Sequence, residues 1–230
     1  MAKVNVKEQK AENISKSEDF LLKNKKTIMY AVIALIVIIA GIILYNSFVK
    51  APREAKASTE LAKGQTMFAN QQFAKALNGD STGYAGFVKI ASDYSSTPAG
   101  NLANLYAGLC YANLDKWGDA VKFLDKYSPA NDEMVSPAAV AALGNAYAHV
   151  KQLDKAVDAL KKAAKMADSQ ALDNTNNSLS PTFLIQAATI LESQNKKDEA
   201  LKIYQDIKKK YVNSAVAAEI DKYIERALGK

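Results

Sequence analysis

Residues 142–164 read A-L-G-N-A-Y-A-H-V-K-Q-L-D-K-A-V-D-A-L-K-K-A-A, and they spell out a helical hairpin. Alanine, leucine and lysine, all strong helix formers, fill both halves. The tight polar turn Q-L-D-K-A separates the halves and ends on Ala156. A small side chain there lets two helices approach closely. Gly144 lies 12 residues before Ala156, and Tyr147 follows Gly144 by three.

Moving outward, the same spacing returns. K-W-G-D-A ends on Ala120 and K-K-D-E-A on Ala200, at periods of 36 and 44 residues. Gly108 and Ala188 hold the place of Gly144, and Tyr111 and Leu191 that of Tyr147. A period of this length with two helices per unit marks a stacked repeat protein. Thr97-Pro98, Ser136-Pro137 and Ser180-Pro181 each precede an apolar helical pattern. Their hydroxyls are expected to cap free backbone N–H groups, with Pro in the first helical position. An earlier, degenerate unit starts near Arg53, with Gly64 and Ala76 in phase, and A-L-N-G-D-S-T-G (76–83) stretches its hairpin. Residues 168–181 form a polar insertion that lengthens the second period, and Asn213 to Leu228 reads as one final amphipathic helix capping the stack.

At these positions the sequence resembles the tetratricopeptide repeat. Leu143, Gly144, Tyr147, Ala156 and Ala163 fall on that family's positions. The unit before matches at Gly108, Tyr111 and Ala120 but has Tyr127 where a small residue is usual, and the last unit keeps Ala200 without the Gly. Other helical-hairpin repeats share much of this pattern. The resemblance implies an all-α fold, a helical-hairpin solenoid over residues 53–230 with a C-terminal capping helix. It also implies a protein-binding groove lined by the first helix of each hairpin. On this chain the lining is Leu102, Leu105, Leu109 and Asn113, then Ala141, Asn145 and His149, then Ile185, Thr189 and Glu192. The set is apolar with scattered polar groups, and it lacks the Lys/Arg and Asn clamp with which some relatives hold a peptide carboxylate. An extended or partly unfolded apolar segment, or a partner helix, suits it better. The competing reading is that neighbouring helices cover much of this lining.

A second segment has a different character. Residues 28–45 read I-M-Y-A-V-I-A-L-I-V-I-I-A-G-I-I-L-Y without a charge. Extended to Phe48 the run has about 21 residues, which at ~1.5 Å each span a ~30 Å hydrocarbon core. Tyr30 and Tyr45 stand at its ends, at headgroup depth. A cleaved signal peptide has a shorter apolar region and a small-residue site after it, whereas this run leaves through Asn46, Phe48, Val49 and Lys50. The expectation is an uncleaved single-pass signal anchor over 27–48. Lys23, Lys25 and Lys26 press on its N-terminal end more tightly than Lys50, Arg53 and Lys56 on the other. That bias puts residues 1–26 in the cytoplasm as a short, disordered or weakly helical tail, and the C-terminal domain in the periplasm. A short helix is expected to start within Ser15 to Leu22. The linker Ala51-Pro52 is short, so the domain is expected close to the bilayer.

The net charge is +6, of which residues 1–48 supply half through seven Lys against four acids. The remainder is nearly balanced and lacks a concentrated basic face, so nucleic acid is not an expected partner. One cysteine, Cys110, makes neither a disulfide framework nor a zinc site. His149 is the only histidine. No H-x-x-x-H, C-x-x-C or Gly-rich phosphate loop occurs, and Asp198-Glu199 at a helix start complements the helix dipole. No catalytic, cofactor or metal site is expected, and the reading is a non-enzymatic one. Asp80-Ser81-Thr82 resembles a short O-glycosylation acceptor that some bacteria use on exported proteins.

The whole layout resembles the YfgM-like family, ancillary subunits of the bacterial Sec translocon. Thr27 to Phe48 carries the anchor side of the likeness, and L-G-N-A-Y-A and D-K-A-V-D-A-L the repeat side; the 168–181 insertion departs from a compact array. The resemblance implies an adaptor or chaperone role in protein export at the cytoplasmic (inner) membrane. The implied partners are the translocon, a membrane-anchored chaperone of the prolyl-isomerase class, and exported client polypeptides. A scaffold for assembly of another cell-envelope complex is the alternative.

Overall fold

The computed structural model describes residues 2–229, with side chains from Leu22 onward, and every regular element in that range is a helix. Two compact units, Met1–Arg53 and Glu54–Lys230, divide the chain.

The first unit is built on α1 (Ala2–Tyr45), followed by a π turn over Asn46–Lys50. The polar stretch expected as a disordered or weakly helical tail is helical from Ala2. The apolar part holds an 18-residue window of mean hydropathy 2.9 with none of it buried, long and apolar enough to cross a membrane. Its side chains stand outward on every face, Ile36 at 58% exposed and Val37 at 64%. A helix apolar all round needs burial, and this one finds none within the protein.

The second unit is carried by α2 (Ala51–Ala69), α3 (Phe73–Asn78), α4 (Phe87–Asp93), α5 (Pro98–Asn113), α6 (Trp117–Leu124), α7 (Val135–His149), α8 (Leu153–Gln170), α9 (Ser180–Ser193), α10 (Lys197–Lys210) and α11 (Ile220–Ala227). Ala51 and Pro52, expected as a linker, are both helical: the helix runs on from the π turn, whose last bond is from Ala51 N to Asn46 O, into α2, and Pro52 is the position in it without an N–H to donate.

Four turns among the described residues share one geometry. Gln71, Asp115, Lys151 and Asn195 take φ of 58°, 57°, 63° and 62°. The next residue's N–H reaches back five positions to a helix carbonyl: Gln72 to Met67, Lys116 to Tyr111, Gln152 to Tyr147 and Lys196 to Leu191, each at 2.9 Å. This left-handed C-terminal motif satisfies carbonyls the helix leaves open. Five residues after each left-handed residue comes an alanine, Ala76, Ala120, Ala156 or Ala200, all fully buried. The turns therefore fall in the register expected of the alanines. Across them the paired helices close tightly. A Cβ on Gly108 would lie 2.5 Å from Leu124 Cγ, and one on Gly144 2.9 Å from Leu160 Cγ.

The first hairpin departs from the others. Its second helix breaks at Gly79 (φ 91°), and the chain resumes as α4 after the loop containing Asp80, Ser81 and Thr82. Asp80 Oδ1 accepts from Thr82 N and Oγ1 and holds that loop. Aromatic rings fill the space beneath, with Phe87 stacked on Tyr106 and Phe68 edge-on to both Phe73 and Tyr106.

The helix starts correct the capping expectation in two of three places. Thr97 Oγ1 accepts from Gly100 N as expected. Ser136 and Ser180 instead lie inside their helices. Asp132 Oδ1 accepts from Met134, Val135 and Ser136 N ahead of α7, and Asn176 Oδ1 accepts from Ser178 and Leu179 N ahead of α9. The serine hydroxyls point inward: Ser136 Oγ donates to Asp132 Oδ2 at 2.5 Å and meets Tyr127 OH. Tyr127 lies beyond the end of α6 and is buried in the core shared by α5, α6 and α7.

The insertion at 168–181 is partly helix, because α8 runs on to Gln170. Its loop is tied down by one carboxylate. Asp168 accepts from Ser180 Oγ (2.6 Å), Tyr211 OH (2.7 Å), Lys210 Nζ (2.5 Å) and Asn176 N (2.9 Å). Burial pushes its carboxyl up, but these four donors outweigh that and hold it below the usual carboxylate value. The C-terminal segment is two elements rather than one helix. Residues 215–218 form a 3₁₀ turn, with Ala217 N bonded to Ser214 O and Glu219 N to Val216 O, before α11 begins.

Cys110 sits fully buried on α5 and packs as a small apolar group. Burial pushes its thiol up to about 12. Alkylation by iodoacetamide at pH 8 is expected to run at least a thousandfold slower on the folded chain than on the urea-unfolded one, since only the thiolate reacts and the buried sulfur is out of the reagent's reach. Equal labelling rates in the two states would mean that this part of the core opens readily.

Candidate functional site

Helices α5, α7 and α9, each the first of its hairpin, carry the ten residues expected to line a groove, and the structure sorts them into three groups. Leu105 and Ala141 are buried at 6% and 4% exposed and belong mainly to the core. Leu102 is half-buried, wedged against the aromatic cluster below and the α5–α6 core above. Asn113 and Glu192 are committed elsewhere. Asn113 Nδ2 donates to Leu109 O within α5. Glu192 accepts from Tyr204 OH and pairs with Arg226 Nη2 at 2.5 Å, which fastens α11 to α9.

The remaining five border two clefts. The first, about 350 Å³, lies between α5 and the start of α7. Leu105 and Leu109 form one side; Met134, Val135, Ala138 and Ala139 form the other. Met134 is 68% exposed, and with Leu109, Val135 and Ala138 it leaves this cleft an open apolar surface. The second, about 460 Å³, lies between α7 and α9. Asn145, Ala148 and His149 come from α7; Ile185, Gln186, Thr189 and Ile190 from α9; and Trp117 from the start of α6. Four expected residues, Asn145, His149, Ile185 and Thr189, are thus brought together across two helices that are not consecutive in sequence.

The sequence reading missed Trp117, Met134, Val135 and Gln186, and the smaller contributions of Ala138, Ala139, Ala148 and Ile190. Trp117 had a signal, as the single tryptophan of the chain placed in a polar turn. Its indole lies parallel to the His149 imidazole, with centroids 3.5 Å apart and planes 6° from parallel. Among the described residues, none lining either cleft is charged, so the surface offers shape, apolar area and a few amide and hydroxyl groups.

The chemistry-bearing side chains do not converge here. Cys110 is in the core and His149 is stacked at the second cleft, on different helices. Among the described residues, no three His, Cys, Asp or Glu side chains gather in a metal-holding group. No family model matches this chain, and a search of curated proteins finds none that matches it.

Proposed function

We propose that this chain is a membrane-anchored, non-enzymatic adaptor or chaperone whose tetratricopeptide-type solenoid binds other proteins at the site of Sec-dependent export. The observation that carries the reading is the cleft pair along α5, α7 and α9. It is an uncharged, partly open apolar surface assembled from the first helices of successive hairpins. Surfaces of this kind take apolar peptide segments or partner helices. The four identical hairpin turns support the repeat assignment, and the exposed apolar helix supports the anchor. The lysine cluster Lys23, Lys25 and Lys26 argues for a cytoplasmic N-terminus and a periplasmic solenoid. The likeness to YfgM-like subunits supplies the partners: the translocon, a membrane-anchored prolyl-isomerase-type chaperone and exported clients.

Photocrosslinking from single sites in intact membranes tests this. A crosslinker at Ala138 or Ala148, in the clefts, is expected to capture translocon subunits, the chaperone or exported chains. One at Lys202, exposed on α10, is expected to capture far less. Capture of only unrelated envelope proteins from the cleft positions would favour a scaffold for another envelope complex. Equal capture from Lys202 and Ala148 would remove the clefts from the function, and a C-terminal fusion reporter active in the cytoplasm would reverse the topology.

A further inference from the structure

Beyond the apolar anchor, five large apolar side chains stand exposed among the described residues: Met134, Val135, Leu172, Val212 and Leu228. Leu228 is near the end of the chain. The other four share one edge of the helical domain. At that edge the first helix of each hairpin begins and the second helix of the hairpin before it ends. Hydrogen bonds mark it. Glu54 near the start of α2 accepts from Ala99 N at the start of α5. Asn101 on α5 and Ser128 after α6 bond each other twice, and Ser180 at the start of α9 donates to Asp168 near the end of α8. The four left-handed turns form the opposite edge, and no large apolar side chain stands exposed in them.

Met134 and Val135 border the cleft between α5 and α7, whereas Leu172 and Val212 line neither cleft. Leu172 sits in the loop between α8 and α9 and is fully exposed, at 106%. Val212 follows Tyr211 just past α10 and is 64% exposed. Asp168 ties the two segments together, accepting from Asn176 N on one side and Tyr211 OH on the other. Folding thus leaves both apolar side chains in water, where their surface is unfavourable. Lys165 in the last two turns of α8 and Lys209 in the last turn of α10 are exposed and have no ion pair among the described residues. Asp173, the acid beside Leu172, accepts from Thr175 N within its own loop.

The chain itself says what lies near this edge. The apolar run ends at Phe48, six residues before Glu54. Six residues reach at most about 20 Å even when fully extended. The edge that holds Glu54 is therefore close to the surface of the bilayer that the run crosses.

We propose that this edge lies on that bilayer surface, with Leu172 and Val212 entering the boundary between headgroups and acyl chains and Lys165 and Lys209 beside the lipid phosphates. The apolar side chains leave water there, and the long lysine stems carry their charge out to the phosphates. The proposal rests on the membrane-anchor reading and adds a second, shallow contact to it. A domain held to the membrane in this way presents its clefts at one height above the lipid.

The full chain, carrying Cys110→Ala, is reconstituted in mixed phosphatidylcholine and phosphatidylglycerol vesicles. An NBD label is attached through Leu172→Cys or Val212→Cys, and for comparison through Lys116→Cys or Lys197→Cys near the opposite edge. Lipids bearing a nitroxide high on the acyl chain are expected to quench the label at positions 172 and 212 several-fold more strongly than at 116 and 197. Lys165→Glu combined with Lys209→Glu should weaken the quenching at 212 several-fold, with circular dichroism checking the fold. Quenching at 172 and 212 no stronger than at 197, or unchanged by the two lysine reversals, overturns the proposal. So does quenching that disappears when the protein is diluted until most vesicles hold a single chain, because a second copy would then be what covers the edge. Flotation separates this result from the anchor reading. A chain that fails to float with the vesicles removes the anchor, whereas one that floats with both labels in water removes only the edge contact.

Discussion

Asp168→Ala should lower the unfolding free energy of the helical domain by about 3 kcal/mol, within the range for breaking a buried charged network. The carboxylate gathers donors from three parts of the chain: Ser180 at the start of α9, Asn176 in the loop before it, and Lys210 and Tyr211 at the end of α10. Tyr211 is buried, so its hydroxyl has no water to turn to once the acceptor is gone, whereas the buried Ser180 hydroxyl can still donate to Ala164 O. Lys210 is half exposed and loses less. For a domain of this size the change corresponds to a melting point lower by roughly 6–12 °C. Urea unfolding of the full chain in detergent, followed by helical circular dichroism, measures it. The pH dependence has a definite sign. The folded carboxyl titrates below its unfolded value of about 3.9, so the stabilisation is complete above that pH and fades as pH falls through the folded value. The gap between wild type and Asp168→Ala should be constant from pH 7 to about 5 and narrow below about 4. A gap that widened on acidification would contradict the hydrogen-bonded carboxylate.

Gly100→Ala is expected to cost about 2–3 kcal/mol, although alanine is the better helix former by about 1 kcal/mol. Gly100 lies in the first turn of α5, and a Cβ there would come within 1.9 Å of Tyr94 O. That carbonyl cannot retreat freely, because it accepts from both Thr97 N and Thr97 Oγ1 in the turn between α4 and α5. Gly118 on α6 is the control. A Cβ there meets nothing within 4 Å, so Gly118→Ala should stabilise by roughly 0.5–1 kcal/mol through helix propensity alone. The two alanine substitutions should therefore have opposite signs in the same denaturation assay. If both stabilised, the packing of α4 on α5 would be looser than described.

Much of the helical layout was legible in the sequence. The alternation of Gly144 or its equivalents with Ala120, Ala156 and Ala200 marks where helices close on each other. The four left-handed turns then fall where those spacings require. The apolar run before Asn46 is legible for a simpler reason: composition over 18 residues decides whether a helix can live in water. Helix starts were less legible. A Ser-Pro pair is a generic signal, and the acceptors used at α7 and α9 are Asp132 and Asn176, four residues ahead of the serine in each case. That recurrence, 44 residues apart, was a usable signal.

Periodicity, turn chemistry and hydropathy act over a few residues, and so the sequence alone determined an apolar helix followed by paired helices in a fixed register. Whether Leu105 and Ala141 face a groove or the core depends on how neighbouring helices lie across them. So do the parallel rings of Trp117 and His149, 32 residues apart on different hairpins, and the burial of Gln186 Oε1 without a donor among the described residues. Such contacts follow from the angle and distance at which one helix packs on the next. Those are set by the sum of many side-chain volumes, and only the tertiary structure decided which part of the expected lining is open surface.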